Sequence, residues 1–180
     1  KNAIENISFD VKKGEILAIV GKSGCGKTTL ISHFNGIIRP QEGDVRIVLD
    51  NGDTISKTDK KDITRVRQNV GLVFQYPEYQ LFEETVYKDV AYGLRKLNLS
   101  KEEERERVIE ALKKVRFDIS RIDDSPFELS GGQKRRVAIA GVIVMNPKIL
   151  VLDEPASGLD PQGRKEMFQL IEDLRDSGAT

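Results

Sequence analysis

The sequence predicts a single α/β domain built around a glycine-rich loop that joins a buried strand to a helix. The first observation is the run from Gly21 to Thr28, which matches the pattern G-x-x-x-x-G-K-[ST]. The second is its context, because residues 16–20 have the length and branching of a buried strand and a helical pattern follows the loop. The third is another apolar run, residues 149–152, which ends in two acidic residues. A chain of 180 residues has room for one well-packed domain and not for two ordinary ones.

The composition of the chain argues against several classes of binding partner. Lys and Arg number 29 and Asp and Glu number 29, so the net charge is zero and we expect no general attraction to nucleic acid or anionic lipid. No apolar run reaches the length of a membrane span, and the first ten residues do not resemble a signal peptide. The single cysteine, Cys25, cannot form an internal disulfide, which suits a reducing cytosol. We expect Cys25 to be either a small packing residue or a thiol whose alkylation blocks the loop.

The glycine-rich loop predicts a phosphate-binding site. Gly21, Gly24 and Gly26 let the backbone turn tightly and direct N–H groups at phosphate oxygens, next to the positive end of a helix. Lys27 is expected to reach the β- and γ-phosphates, and the Thr28 hydroxyl to ligate Mg²⁺. The predicted contacts with the nucleotide are Gly21, Lys22, Ser23, Gly24, Cys25, Gly26, Lys27, Thr28 and Thr29.

The elements flanking this loop follow from hydrophobic periodicity. Residues 7–11 alternate apolar and polar side chains, which predicts a half-buried strand in a small antiparallel part at the N-terminus. A helix is predicted over residues 27–35, with Gly36 as its stop. His33, the only histidine, is predicted to point away from the stripe formed by Leu30 and Phe34, which argues against a catalytic role.

Two further strands are predicted before the middle of the chain. Val45, Ile47 and Leu49 alternate in the first, which ends at a turn over residues 50–53, and residues 53–64 read as a loop with a short helix. The second runs through residues 70–74 and ends at Gln75. Polar residues at the carboxyl ends of α/β strands commonly meet ligands, so Gln75 is a candidate for Mg²⁺ or for the attacking water.

Residues 84–145 are predicted to be mainly helical. Ser100 and Glu103 form a capping box, and an apolar stripe follows it at positions 108, 109, 112 and 115. A second helix opens with Leu129-Ser130-Gly131-Gly132-Gln133. A simple helix cap explains Ser130 and Gln133, but it does not explain two adjacent glycines, each of which costs up to about 1 kcal/mol in a helix. Bare N–H groups there favour a second anion site.

The strand at residues 149–152 ends in Asp153 and Glu154. Two acids at a strand end can be a solvated turn, and without other signals that alternative is equally favoured. A phosphate loop about 125 residues upstream instead favours a metal site, with Asp153 holding Mg²⁺ and Glu154 orienting or deprotonating water. Asp160 and Pro161 are predicted to begin a last amphipathic helix.

Together these stretches resemble the nucleotide-binding subunit of an ABC transporter over the whole chain, with Leu129 to Gln133 as its signature. The resemblance implies a P-loop NTPase (RecA-like) core with an inserted helical subdomain at about 84–145 in a single domain, residues 1–180, that is truncated at both ends. Residues 74–82 are similar to the Gln loop of energy-coupling factor (ECF) transporter ATPases, which import vitamins and transition-metal ions. The implied cofactors are ATP and Mg²⁺, and the implied location is the cytoplasmic face of the membrane.

The resemblance also implies partners. Two such domains pair head to tail, as a homodimer or heterodimer, so that Ser130, Gly131, Gly132 and Gln133 contact the partner's ATP, and residues 157–160 link the two sites. Transmembrane subunits select the substrate. The family's adenine-stacking aromatic residue and its γ-phosphate histidine are expected outside this chain, so the isolated chain is expected to be weakly active.

Two other readings remain open. One is a soluble ABC ATPase of translation or DNA repair, although repair members carry long coiled coils where this chain is compact. The other is a partner subunit that binds nucleotide without hydrolysing it. Glu154 argues against that reading, because a degenerate site usually loses this carboxylate first.

Overall fold

The computed structural model describes residues 4–56 and 62–180. Six α-helices and four strands lie in these ranges, and short 3-10 turns, one of them Pro77–Gln80, connect some of them. In chain order they are α1 Lys27–Ser32, β1 Arg46–Val48, β2 Thr54–Ser56, α2 Ile63–Asn69, β3 Val70–Val73, α3 Val86–Ala91, α4 Lys101–Lys114, α5 Gly131–Ile143, β4 Ile149–Leu152 and α6 Pro161–Asp176.

The strands form two small sheets, one antiparallel and one parallel. β1 and β2 form a hairpin in which Ile47 lies opposite Ile55, and both side chains are buried. β3 and β4 run parallel, with Val73 opposite Leu152. Because the carboxyl ends of parallel strands meet at one edge, this pairing brings the residues after β3 next to those after β4.

The main core lies among the helices and confirms the predicted stripe on α4. Ser100 and Glu103 form the predicted capping box at its start, and Asp160 caps α6 as expected. Helices α3, α4 and α5 lie within residues 84–145, and their assignment to a separate subdomain stays a prediction. The main core includes Val90, Val108, Leu112, Val115, Val137, Ala140, Leu170 and Leu174. Among the described residues, no helix is both long and apolar enough to cross a bilayer.

The two predicted N-terminal strands are wrong. No strand forms at residues 7–11 or 16–20, and Phe9, Leu17 and Val20 are 44%, 45% and 90% exposed. A strand needs a neighbour to complete its hydrogen-bond ladder. The two described sheets contain only β1 with β2 and β3 with β4, so these apolar segments have no ladder partner there.

Three smaller differences concern single elements. Helix α1 ends at Ser32 instead of residue 35, because the N–H groups of His33 and Phe34 turn to carbonyls three residues back. The predicted loop after residue 53 contains β2, since a tight turn with Gly52 at φ 83° closes the hairpin. The rest of that predicted loop includes residues 57–61, which lie outside the described residues. Strand β4 is only half-buried, although its backbone bonds both β3 and Thr180, which exchanges hydrogen bonds with Lys148 and Leu150.

Candidate functional site

The glycine-rich loop has the backbone geometry that its sequence predicts. Gly24 and Gly26 have φ values of 77° and 98°, in the left-handed region that side chains disfavour. A Cβ atom on Gly21 would lie 2.7 Å from Cys25 Sγ, so a larger residue there would require the Cys25 side chain to move. Gly26 is the N-cap of α1 and offers no side-chain acceptor to the first N–H groups of the helix. The loop therefore fits an external anion such as phosphate.

Lys27 places a positive charge directly on this loop. Its Nζ donates hydrogen bonds to the carbonyl oxygens of Gly21 at 2.9 Å and Lys22 at 3.1 Å. A phosphate oxygen is a stronger acceptor for an ammonium group than a neutral carbonyl is. The lysine is thus held where a bound polyphosphate can replace its present contacts.

Thr28 and Asp153 meet although they are far apart in sequence. The Thr28 hydroxyl donates to Asp153 Oδ2 at 2.9 Å, and Asp153 is only 7% exposed. The Asp153 N–H bonds the Val73 carbonyl oxygen at 2.9 Å, which continues the parallel pairing of β3 and β4 and fixes the carboxylate. A hydroxyl and a buried carboxylate side by side are the hard oxygen donors that Mg²⁺ prefers. These residues therefore fit the predicted metal.

Gln75 and Glu154 form a second pair beside the first. Gln75 Nε2 donates to Glu154 Oε2 at 2.7 Å and lies 3.4 Å from Ser157 Oγ. Glu154 has φ 47°, a costly left-handed conformation for a residue with a side chain. Parallel pairing of β3 and β4 thus brings together Gln75 and Glu154, the two side chains that the sequence places after these strands. Their contacts with nucleotide or metal stay predictions.

Few side chains are available as ligands at the proposed metal site. Across residues 4–56 and 62–180, no group of three or more His, Cys, Asp or Glu side chains forms a metal-binding cluster. One hydroxyl and one carboxylate are nevertheless typical of Mg²⁺ sites in which nucleotide phosphates and water complete the coordination.

The stretch from Ser130 to Gln133 starts α5 and is capped from within. Ser130 Oγ accepts from the Gln133 N–H, and Gln133 Oε1 accepts from the Ser130 N–H, so the capping alternative is correct for these two residues. Gly131 and Gly132 are exposed, and a Cβ atom on either would meet nothing within 4 Å. Packing inside this chain therefore does not explain the two glycines.

Two side chains that sequence reasoning missed lie between these loops. Arg135, which is 4% exposed, makes a two-pronged contact with Glu78, at 2.9 Å from Nε to Oε2 and 2.7 Å from Nη2 to Oε1. Burial raises the pKa of Glu78, but the Arg135 contacts outweigh it and hold that pKa below the usual 4.5. The sequence carries no signal for this pair, because Arg135 stands in a basic run that reads as solvated.

The expectation that His33 points away from the buried side of α1 is wrong, while its predicted lack of a catalytic role stays a prediction. Its ring is buried at 8% exposure, and Nδ1 donates to the Thr29 carbonyl oxygen at 2.7 Å, one turn earlier on α1. This local hydrogen bond lets the imidazole face inward, and it gives the histidine a structural contact. Cys25 is exposed, which does not favour the packing role, and the effect of its alkylation stays a prediction.

Residues 4–157 match the family model described as ABC transporter. The chain is 53% identical over 175 residues to the energy-coupling factor transporter ATP-binding protein EcfA2 of Clostridium tetani. It is 50% identical over 176 residues to the protein of that name from Clostridioides difficile. Each alignment covers 97% of this chain and 59% of the relative, so the chain spans about three fifths of the length of these curated relatives.

Solved structures of ABC transporter ATP-binding proteins also resemble this chain. The chain superposes on cbiO1 from Clostridium perfringens, described as part of the ABC transporter complex cbiONQ, with a TM-score of 0.84 and 44% identity. That superposition covers 97% of this chain and 68% of cbiO1. A dimer of the ATP-binding cassette MJ0796 in a post-hydrolysis state with ADP and Pi gives a TM-score of 0.81 at 33% identity, covering 99% and 77% of the two chains.

Proposed function

This chain belongs to the ABC transporter family, and we propose that it is the part of an energy-coupling factor transporter that binds and hydrolyses ATP. The observation that carries the proposal is the contact between Thr28 and Asp153, which joins the phosphate loop to the acidic end of β4. A nucleotide bound to the loop and a metal bound to the Asp153 carboxylate would therefore lie next to each other. Relatives that are named ATP-binding proteins of such transporters support the assignment.

Each site residue has a proposed task. The N–H groups of residues 21–28 and the Lys27 ammonium hold the β- and γ-phosphates. Thr28, Asp153 and Gln75 hold Mg²⁺, which when bound neutralises phosphate charge. Glu154 orients the attacking water and accepts its proton. The observed hydrogen bond from Gln75 to Glu154 gives Gln75 a second task, which is to orient that carboxylate.

A second copy of the domain is proposed to complete the site. Gly131 and Gly132 leave the start of α5 open. Among the described residues, no hydrogen bond connects the stretch 130–133 to the phosphate loop of the same chain. Head-to-tail pairing brings this helix start to the partner's ATP, where its N–H groups can meet the γ-phosphate. The MJ0796 cassette is described as dimeric, which supports pairing of two copies.

The proposed location is the cytoplasmic face of the membrane, against transmembrane subunits that select the substrate. The relative cbiO1 is described as part of a transporter complex, which supports this assembly. The proposed contact surface is the groove that Tyr79, Phe127 and Lys134 line, because Tyr79 is 84% and Phe127 60% exposed. A vitamin or a transition-metal ion is the proposed cargo, and import the proposed direction.

The direct test is Mg²⁺-dependent ATP turnover by the full-length gene product beside its Glu154→Gln variant. We expect turnover in the wild type, and in the variant retained ATP binding with turnover reduced at least about 100-fold, because the proton acceptor is lost. Equal turnover in both would remove Glu154 from the mechanism. Absence of ATP binding in both would overturn the proposed function.

A further inference from the structure

Arg135 is a buried arginine that contacts both loops that carry the proposed catalytic side chains. Two of its nitrogens hold the Glu78 carboxylate, as described above. The third, Nη1, donates to the carbonyl oxygens of Pro155 at 3.2 Å and Ser157 at 3.0 Å. Every nitrogen of the guanidinium group is therefore used, and its partners lie on two different loops.

The positions of these partners along the chain define the role. Glu78 lies three residues after Gln75, and Pro155 and Ser157 lie one and three residues after Glu154. Arg135 itself lies on α5, little more than one turn after Gly131. A single planar group thus links the Gln75 loop, the Glu154 loop and α5, the helix whose start is proposed to contact the partner's ATP (the trans contact).

Other contacts show that these two loops are held under constraint. Tyr76 and Glu154 both have left-handed φ values, 53° and 47°, which persist only where the surroundings fix them. The Tyr76 hydroxyl lies 3.1 Å from Ser157 Oγ, and its ring centroid lies 6.0 Å from the guanidinium carbon of Arg135. The hydrogen bond between Gln75 and Glu154 lies between the two loops that Arg135 ties.

A buried ion pair is not needed merely to fill this space, since apolar residues of similar volume often stabilise a core as well or better. What an apolar pair cannot do is bind two backbone carbonyls and a carboxylate in one fixed plane. The forked geometry therefore indicates a requirement for position more than for stability.

We propose that Arg135 is a positioning residue that holds Gln75 against Glu154 and couples this contact to the start of α5. The inference rests on the proposed function and adds to it a link within one chain. When Gly131 and Gly132 engage the partner's nucleotide, a displacement of α5 reaches Gln75 and Glu154 through the guanidinium group. The hydrogen bonds of Arg135 go to Glu78, Pro155 and Ser157 and not to Lys27 or Thr28, the proposed ligands of phosphate and Mg²⁺, so it acts on turnover and not on nucleotide binding.

The test compares two arginines on the same helix in the full-length gene product. Arg135→Lys keeps the charge but loses the fork, while Arg136→Lys makes the same change at a residue that binds the Val115 carbonyl and Glu166, away from both loops. ATP turnover, the KM for ATP and the melting temperature are measured for each. We expect Arg135→Lys to lower kcat by about 10- to 100-fold with KM within about twofold, because small misplacement of catalytic groups has effects of that size. Arg136→Lys should keep kcat within about twofold.

Glu78→Gln gives a second route to the same result. This substitution keeps the shape of the side chain but removes the charge that pairs with Arg135. We therefore expect kcat to fall by less than in Arg135→Lys, again at unchanged KM. The inference is overturned if Arg135→Lys and Arg136→Lys have equal kcat, or if Arg135→Lys raises KM as much as it lowers kcat. Wild-type turnover with Glu154→Gln inactive shows that the proposed function stands in either case.

Discussion

The hydroxyl of Thr28 lies 2.9 Å from the carboxylate of Asp153, and this contact spans 125 positions of the sequence. Thr28 belongs to the first turn of α1, and Asp153 follows the last residue of β4. One side chain is a hydroxyl ligand and the other a buried charge, which together suit a hard cation next to a phosphate group. The proposed chemistry depends on this meeting point.

Replacing Lys27 should remove tight nucleotide binding. Lys27→Ala removes the ammonium group that bonds the carbonyl oxygens of Gly21 and Lys22 within the loop. Because a hydrogen bond to a charged group is worth about 1.5–3 kcal/mol, ATP affinity should fall by at least about tenfold. Calorimetric titration with ATP measures this. Lys165→Ala, an exposed lysine on α6, is the control, and equal affinity in both variants would contradict the role of Lys27.

Removing the charge of Asp153 should weaken Mg²⁺ binding and leave the fold intact. Asp153→Asn can still accept the hydrogen bond from Thr28, but it loses the negative charge that a divalent cation needs. The Mg²⁺ concentration for half-maximal turnover should rise by about tenfold or more. Asp123→Asn, at an exposed acid, should leave that concentration unchanged. A Mg²⁺ titration that is identical in Asp153→Asn and wild type would remove Asp153 from the metal site.

Substitution of a glycine at the start of α5 should change stability and turnover in opposite directions. Gly132→Ala meets open space and should raise the free energy of unfolding by about 0.5–1 kcal/mol, since alanine favours a helix over glycine. Turnover should nevertheless fall, because the added methyl group obstructs the trans contact. Gly141→Ala, later on the same helix and with only ordinary contacts at 3.9–4.0 Å, should be neutral or stabilising with normal turnover. Urea unfolding and ATPase assays give both numbers, and full activity of Gly132→Ala would contradict the trans role.

Glu78 should contribute to stability in a pH-dependent way. Its pKa in the folded chain lies below the usual 4.5, with burial opposed and outweighed by the Arg135 contacts. The charged form therefore stabilises the fold above pH 4.5, and this contribution is lost as the pH falls through the lowered pKa. In urea unfolding at several pH values, Glu78→Gln should be less stable than wild type at pH 7, and the difference should shrink in acid. The exposed control Glu42→Gln should show no such trend, and a difference that grows in acid would reverse the assignment.

The local features of the site could be predicted from sequence, while the contacts across the chain could be predicted only in part. The phosphate loop, the cap at Ser130 and the strand ends at Gln75 and Asp153 each follow from a short motif or period. Family membership and the likeness to energy-coupling factor ATPases are confirmed by the relatives. The pair of Arg135 and Glu78 was missed because its partners lie 57 positions apart and neither stands in an apolar pattern.

The errors have a common physical origin. Residues 7–11 and 16–20 have the alternation and branching of strands, but periodicity describes one segment and a strand requires two. His33 was placed by helical spacing alone, whereas its hydrogen bond to the Thr29 carbonyl oxygen is what permits burial. Sequence patterns report what a segment favours, and its neighbours decide the outcome.

In the proposed dimer, one chain's phosphate loop and another chain's signature stretch form a single ATP site. The most direct test uses full-length protein in the Glu154→Gln background, carrying either Lys27→Ala or Gly131→Asp, and measures ATP retained after rapid gel filtration. Gly131→Asp adds a negative charge at an open helix start, which should suit the helix but repel phosphate. We expect neither variant alone to retain ATP. In an equal mixture, each mixed dimer should retain one ATP through its one intact composite site, which is about half an ATP per dimer on average if the chains pair at random. Retention by Gly131→Asp alone at the Glu154→Gln level, or no retention by the mixture, would show that the two chains do not share one ATP site.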